Sequence, residues 1–166
     1  MNVQRATVQT PLGEMILLAQ TATLIALEWG DGVERAERHL HRHVGAWRTE
    51  MVDEVPGWSA ALQRYMSGEL HAFNGLTLDP PGTPFQQQVW TALQTIPCGN
   101  TWSYKVLAES IGRPTSFRAV ANANGKNPIP IIIPCHRVIA ADGGLGGFSC
   151  GLHRKEWLLA HEGVTL

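Results

Sequence analysis

Three consecutive isoleucines framed by Pro130 and Pro134, with a cysteine and a histidine directly after them, leave this chain few ways to fold around that segment. Proline has no amide hydrogen, so the run cannot sit in the middle of a regular sheet. Ile131 to Ile133 is expected as a short buried strand or an extended segment. Either form brings the chain out of the core at Cys135, with His136 beside it. Taken alone, Cys135 reads as a buried structural residue, because cysteine is among the most buried side chains. Its neighbours change that reading. Cys98 and Cys150 bring the count to an odd three with no framework spacing, which speaks against a secreted disulfide scaffold and for reduced thiols.

At 166 residues and 44% hydrophobic content the chain can bury a core without staples, as one generous domain or two small ones. A net charge of -1 hides an asymmetry: residues 1 to 99 carry six Lys/Arg against ten Asp/Glu, and residues 100 to 166 carry seven against four. A basic second half suits a polyanionic partner. No apolar stretch reaches the length of a membrane span, and Met1 to Ala6 lacks a signal-peptide h-region, so a cytoplasmic protein is expected.

Short apolar runs separated by turn signals predict three antiparallel strands in the first thirty residues, the last ending at Trp29. A helix is expected from Val33 to Val44; its His39 and His43 share a face, which reads as a solvated basic surface and not a metal site. Trp58 to Met66 predicts a second helix. Asp79-Pro-Pro-Gly82 then marks a boundary between domains at 1–80 and 83–166. Thr83-Pro-Phe-Gln86 carries the signature of a capped helix start, and Phe85, Val89, Leu93 and Ile96 fall on one face of the helix that follows. Cys98, in the turn that ends it, reads as structural.

Ser103 can cap a helix from Tyr104 to Ile111, and Thr115 or Ser116 can cap another from about Phe117 to Asn124. A helix, a short turn and a helix form the helix-turn-helix pattern, whose second member meets nucleic acid. That second helix is thin, with Ala119, Ala121 and Ala123, and Arg118 is its only long cation. Such a helix can approach the narrow minor groove, where an arginine can replace a displaced base. Asp142 to Phe148 is glycine-rich without a phosphate-loop context, and suits close backbone approach to a flat ligand or a tight hairpin. A final helix is expected from His153 to His161.

Pro134-Cys-His-Arg-Val138, together with Thr83-Pro-Phe, Ser103-Tyr104, Arg118-Ala-Val, Asn127-Pro and Lys155-Glu-Trp-Leu-Leu159, resembles the methylated-DNA-protein-cysteine methyltransferases, also called O6-alkylguanine-DNA alkyltransferases. The resemblance is specific from about residue 83 onward and looser before it. It implies an α/β (α+β) chain, with a small ribonuclease-H-like N-terminal domain and a winged-helix-like C-terminal domain containing the helix-turn-helix. It implies transfer of a methyl or small alkyl group from O6 of guanine, and from O4 of thymine, to Cys135, once per molecule and without cofactor or metal. The partner is double-stranded DNA, bound by a monomer of which several copies can line up along the duplex.

By the same resemblance His136 acts as a base through a water, Glu156 orients it, Tyr104 donates a proton toward the leaving guanine, and Asn127 braces the turn presenting Cys135. The backbone of Val138 and of the Ser149 region reads the base edge. Arg118, with Thr115, Ser116, Ala119 and Asn122, meets DNA, and the target nucleotide must be flipped out to reach a buried thiol. If Cys135 and His136 lie in a strand, their side chains point to opposite faces, which a bridging water answers. Phe148 stands where tyrosine is common in the family, and Cys150 where glycine is common. Cys150 is therefore expected to narrow the pocket and disfavour bulky adducts such as benzyl. The rival readings are a binding-only relative lacking the reactive cysteine, a winged-helix regulator and a cysteine hydrolase that turns over.

Overall fold

The computed structural model describes residues 1–165. The chain is mixed α/β, as expected, and divides into two compact units, Met1–Pro81 and Gly82–Leu166.

In the first unit, β1 (Asn2–Thr10), β2 (Gly13–Gln20) and β3 (Thr23–Trp29) form the expected antiparallel meander. Five consecutive residues of β2, Met15 to Ala19, are buried, so both faces of the sheet are covered. On one face α1 (Val33–Val44) sets Leu40, Val33 and Val44 against Val3, Ile16, Leu18 and Ile25. The helix α2 (Trp58–Met66) packs against β1, and its Trp58 indole donates to the Ala22 carbonyl at 3.1 Å.

A fourth strand, β4 (Arg48–Met51), joins β1 in parallel and gives the order β3-β2-β1-β4. It is exposed along its whole length, so no alternation of apolar residues announces it. His39 and His43 are half-buried rather than solvated: their rings lie 4.6 Å apart, and His39 Nε2 contacts the Pro81 carbonyl at 2.5 Å.

The second unit opens with α3 (Pro84–Leu93), held by a capping box in which Gln86 N–H donates to Thr83 Oγ1 and Thr83 N–H donates to Gln86 Oε1. Val89, Trp90 and Leu93 are buried on its inner face. Gly82 is required there, because a Cβ would meet the Trp90 ring at 2.4 Å. Next come β5 (Trp102–Ser103), α4 (Tyr104–Ser110), α5 (Phe117–Gly125), β6 (Val138–Ile139) and α6 (Leu152–His161). Trp90 Nε1 ties α3 to α5 by donating to the Ala123 carbonyl at 2.9 Å.

Ser103 caps α4 as expected, accepting from Val106 N–H at 3.1 Å. Ser116 occupies the corresponding place before α5 but makes no side-chain cap; its ψ of 29° is not the extended backbone that N-capping uses. The two-residue strands β5 and β6 pair in parallel, Trp102 with Val138 and Ser103 with Ile139. This pairing assembles the site: Tyr104 begins α4 just past one strand, and Cys135 lies just before the other. Among the described residues no helix is long and apolar enough to cross a membrane.

Candidate active site

The isoleucine run is neither a strand nor an extended segment. It is a compact turn in which Ile133 N–H donates to the Ile129 carbonyl at 3.0 Å and Ile131 takes a φ of 75°. A β-branched residue in the left-handed region is strained, and persists only where its surroundings hold it. Asn127 does the holding. Its Nδ2 donates to the Ile133 carbonyl at 2.7 Å, and its Oδ1 accepts from Ile129 N–H at 2.9 Å. The same Ile133 carbonyl accepts from Cys135 N–H at 2.8 Å, so brace and cysteine share one acceptor.

Cys135 to Arg137 form a single 3-10 turn, not a strand. With three residues per turn, neighbouring side chains diverge by a third of a circle rather than pointing to opposite faces. Cys135 is 4% exposed and His136 is 0%. His136 Nε2 lies 3.0 Å from Glu162 Oε1. Its Nδ1 is buried with no hydrogen-bond partner among the described residues. Arg137 grips Glu162 with a fork, Nε to Oε1 at 2.8 Å and Nη2 to Oε2 at 2.9 Å, while Nη1 donates to the Ile96 carbonyl at 2.8 Å.

Electrostatics follow from this packing. Burial lowers the His136 pKa; the contact with Glu162 opposes that, and the charges of Arg137 and Lys155 add to it. The imidazole is therefore held neutral. Burial would raise Glu162, but His136 and Arg137 more than reverse this and hold its carboxyl well below the usual range. Cys98 lies against the same pair, and burial followed by the Glu162 charge pushes its thiol up, in keeping with a structural role.

The expected partner of His136, Glu156, is not the one found. Lys155, Leu158, Leu159 and Glu162 are all buried at helical spacing, whereas Glu156 is exposed on the other side of α6 beside Leu145, Ala160 and Gly163. That seven-residue pattern was present in the sequence and could have identified Glu162.

Lys155 is a second residue whose role the sequence reading missed. Fully buried, its Nζ donates to the Val138 carbonyl at 2.6 Å and to the Gly147 carbonyl at 3.1 Å, and sits 6.0 Å from the Phe148 ring centroid. Burial lowers its pKa to about 8 against an opposing pull from Cys135, so the ammonium lies within electrostatic reach of that sulfur. Tyr104 is likewise in reach. Burial first, and the Cys135 charge second, push its phenol up and keep it protonated.

A cavity of about 220 Å³ is lined by Tyr104, Ala121, Asn124, Gly125, Gly147, Phe148 and Ser149. Gly146 lets the loop pass close to it: its φ is 69°, and a Cβ there would sit 3.6 Å from the Tyr104 hydroxyl. Ser149 Oγ donates to the Gly125 carbonyl at 2.9 Å, tying the loop to the end of α5. Val138 and Cys150 do not line this cavity. The Val138 N–H donates to the Cys135 carbonyl and its own carbonyl accepts from Lys155. Cys150 is buried, with its carbonyl accepting from Arg154 Nη1 at 3.0 Å, and it is not among the residues lining this cavity, whereas Phe148 is.

On the outer side of α5, Thr115, Arg118, Ala119 and Asn122 are exposed and Ser116 is half-buried. Arg118 makes no hydrogen bond or ion pair with any described residue. Of the three alanines only Ala119 faces outward; Ala121 lines the cavity and Ala123 is buried.

Residues 84–164 match the family model described as 6-O-methylguanine DNA methyltransferase, DNA binding domain, and residues 3–80 match its ribonuclease-like domain. The methylated-DNA–protein-cysteine methyltransferase of Salmonella typhimurium is 44% identical over 163 residues, covering 96% of this chain and 95% of its own. That of Shigella flexneri is 42% identical over 165 residues, with the same coverage of 96% and 95%. The crystal structure of Mycobacterium tuberculosis O6-methylguanine methyltransferase superposes with a TM-score of 0.82 at 41% identity, covering 96% of this chain and 92% of that one. A structure of Mycobacterium tuberculosis OGT in complex with DNA gives 0.82 at 40% identity with the same coverage of 96% and 92%. With both units matched and the relatives aligned nearly end to end, the chain belongs to the 6-O-methylguanine DNA methyltransferase family.

Proposed function

We propose that this chain repairs DNA by direct reversal, moving a methyl or small alkyl group from O6 of guanine, and from O4 of thymine, to the sulfur of Cys135. The observation that carries the reading is the buried row Arg137–Glu162–His136 ending at the turn that holds Cys135. With its Nε2 side turned to the Glu162 carboxylate, the neutral imidazole keeps its hydrogen there and leaves Nδ1 as the basic nitrogen. A water between Nδ1 and the thiol relays the proton, because an unassisted thiol is only a few per cent thiolate at neutral pH.

The thiolate then attacks the alkyl carbon: a carbon–sulfur bond forms, the carbon–oxygen bond breaks, and its electron pair passes to the guanine. Tyr104, kept as a phenol, donates a proton toward the negative charge that builds there. Nearby Lys155 favours the thiolate over the thiol. The product thioether has no easy hydrolytic exit, so each molecule acts once.

Cys135 lies too deep for a base stacked inside a duplex. Arg118, exposed and unengaged, takes the place of the flipped nucleotide, and Thr115, Ser116, Ala119 and Asn122 meet the backbone through the minor groove. Specificity for damage rather than sequence calls for phosphate contacts over base contacts. The protein acts as a monomer on this reading.

Incubation with duplex DNA carrying O6-methylguanine is expected to add one methyl to the intact protein, localised to Cys135 by peptide mass mapping and absent in Cys135→Ser. An unchanged mass with retained binding would leave a binding-only protein; repeated turnover would leave a hydrolase. Because Cys150 does not line the cavity, Cys150→Gly is expected to change the ratio of benzyl to methyl transfer rates by less than about twofold. A large selective gain for benzyl in that variant would return Cys150 to the pocket wall.

A further inference from the structure

The first unit leaves one sheet edge open. β4 is an outer strand, paired on one side with β1 and exposed along its whole length, so among the described residues nothing covers its other side. Arg48 N–H donates to the Met1 carbonyl and Val52 N–H to the Arg5 carbonyl, both at 2.9 Å. Hydrogen-bonding groups alternate sides along a strand, so those of Thr49 and Met51 point away from β1 into solvent. Side chains alternate as well. Arg48 and Glu50 project from one face, and Trp47, Thr49 and Met51 from the other, where Trp47 Nε1 donates to Thr49 Oγ1 at 3.2 Å. Arg48 and Glu50 form no ion pair with any described residue. Met51, at 69%, is more exposed than any other large apolar side chain described.

We propose that β4 pairs antiparallel with β4 of a second copy of this chain, about a twofold axis at Thr49, making one sheet continuous across the two. In that register the strand is complementary to itself. Thr49 of each copy exchanges both backbone hydrogen bonds with its counterpart. Arg48 of one copy stands opposite Glu50 of the other, twice over, at the non-hydrogen-bonded positions where side chains come closest. On the other face Met51 meets Trp47, again twice, a thioether against an indole. Charges on an edge ordinarily guard it, and an in-register parallel partner would set Arg48 against Arg48 and Glu50 against Glu50. Antiparallel symmetry turns that guard into attraction, which selects another copy of this chain over unrelated strands. A ladder this short lies at the low end of interface sizes, under about 1,200 Å² in total, so the pairing is weak and concentration-dependent. Cys135 and the residues around it belong to the second unit, so each copy keeps a whole site and acts singly.

Sedimentation of the full chain at low ionic strength, over concentrations reaching about 1 mM, is expected to show monomer passing into dimer. Arg48→Glu and Glu50→Arg each replace two attractive pairs by two repulsive ones, and each should weaken self-association about tenfold or more. Mixed in equal amounts, the two variants should pair with each other as strongly as wild type does with itself, since each supplies the charge the other lacks. Thr49→Pro removes an outward N–H and no bond to β1, and should abolish the dimer. All three positions are exposed, so melting temperatures should hold nearly constant. A wild-type chain that stays monomeric throughout, a dimer indifferent to the charge reversals, or a mixture of the two variants that fails to associate overturns the proposal.

Discussion

Glu162→Gln is expected to slow methyl transfer by about a hundredfold or more, on the scale of lost general-base assistance, whereas Glu156→Gln leaves the rate unchanged. The glutamine cannot hold the charge that Arg137 and His136 face, and breaking a buried ion pair from one side costs about 3–5 kcal/mol. Thermal melting should therefore fall together with the rate in this variant. The acid limb of stability carries a second signature. Glu162 has its folded pKa depressed, so its contribution is present above the unfolded carboxylate pKa and is lost as pH falls through the folded value.

His136 is depressed as well. Below about 6.5 the unfolded chain takes up a proton that the folded chain refuses, so stability already declines there as pH falls. Melting temperatures measured from neutral pH downward should show both parts in the wild type, and Glu162→Gln should lose the lower one. Loss of transfer in Glu156→Gln with Glu162→Gln unaffected would refute the assignment.

Asn127→Ala is expected to lower stability by about 2–4 kcal/mol, because two hydrogen bonds are lost and the Ile129 amide is left without its acceptor. The turn it releases holds Ile131 at a φ of 75°, a conformation that costs about 1–3 kcal/mol and relaxes once unsupported. Since the Ile133 carbonyl is shared by Asn127 and by the Cys135 amide, the nucleophile moves with the turn. Transfer should fall steeply even at temperatures where the variant remains folded. Asn127→Asp separates the two contributions: it keeps the acceptor for Ile129 but lacks the donor to Ile133, so it should recover part of the stability and little of the rate. Full activity in the aspartate variant would show that the Ile133 bond does not position Cys135.

What could be read from the sequence was whatever its signals encode locally. The meander β1 to β3 follows from apolar runs cut by turn residues, and α3 from a capping box that the structure reproduces bond for bond. The strand β4 was missed because it is exposed throughout and owes its existence to pairing with β1 some forty-five residues earlier. Proline patterning kept the isoleucine run out of the middle of a regular sheet but suggested a short strand or extended segment, and it could not report the turn with a positive φ at Ile131, which depends on the side chain of Asn127.

At the site, Cys135, His136, Tyr104 and Asn127 were legible from motifs, yet the carboxylate was misassigned. Glu156 neighbours Lys155 in the chain, but the face of α6 that turns inward carries Lys155, Leu158, Leu159 and Glu162. Helical phase, rather than proximity in sequence, identifies the partner.

The glycine-rich loop after β6 would be a floppy segment by composition, and its fastenings change what it does thermodynamically. Ala140 N–H donates to the Gly144 carbonyl, Lys155 holds Gly147, Ser149 reaches Gly125, and Gly151 N–H donates to the Phe148 carbonyl. A loop stapled at so many points has surrendered its conformational entropy during folding, before any ligand arrives. The ordering penalty that ordinarily weakens recognition by loops is largely absent when a ligand enters, and association retains more of its contact energy as affinity.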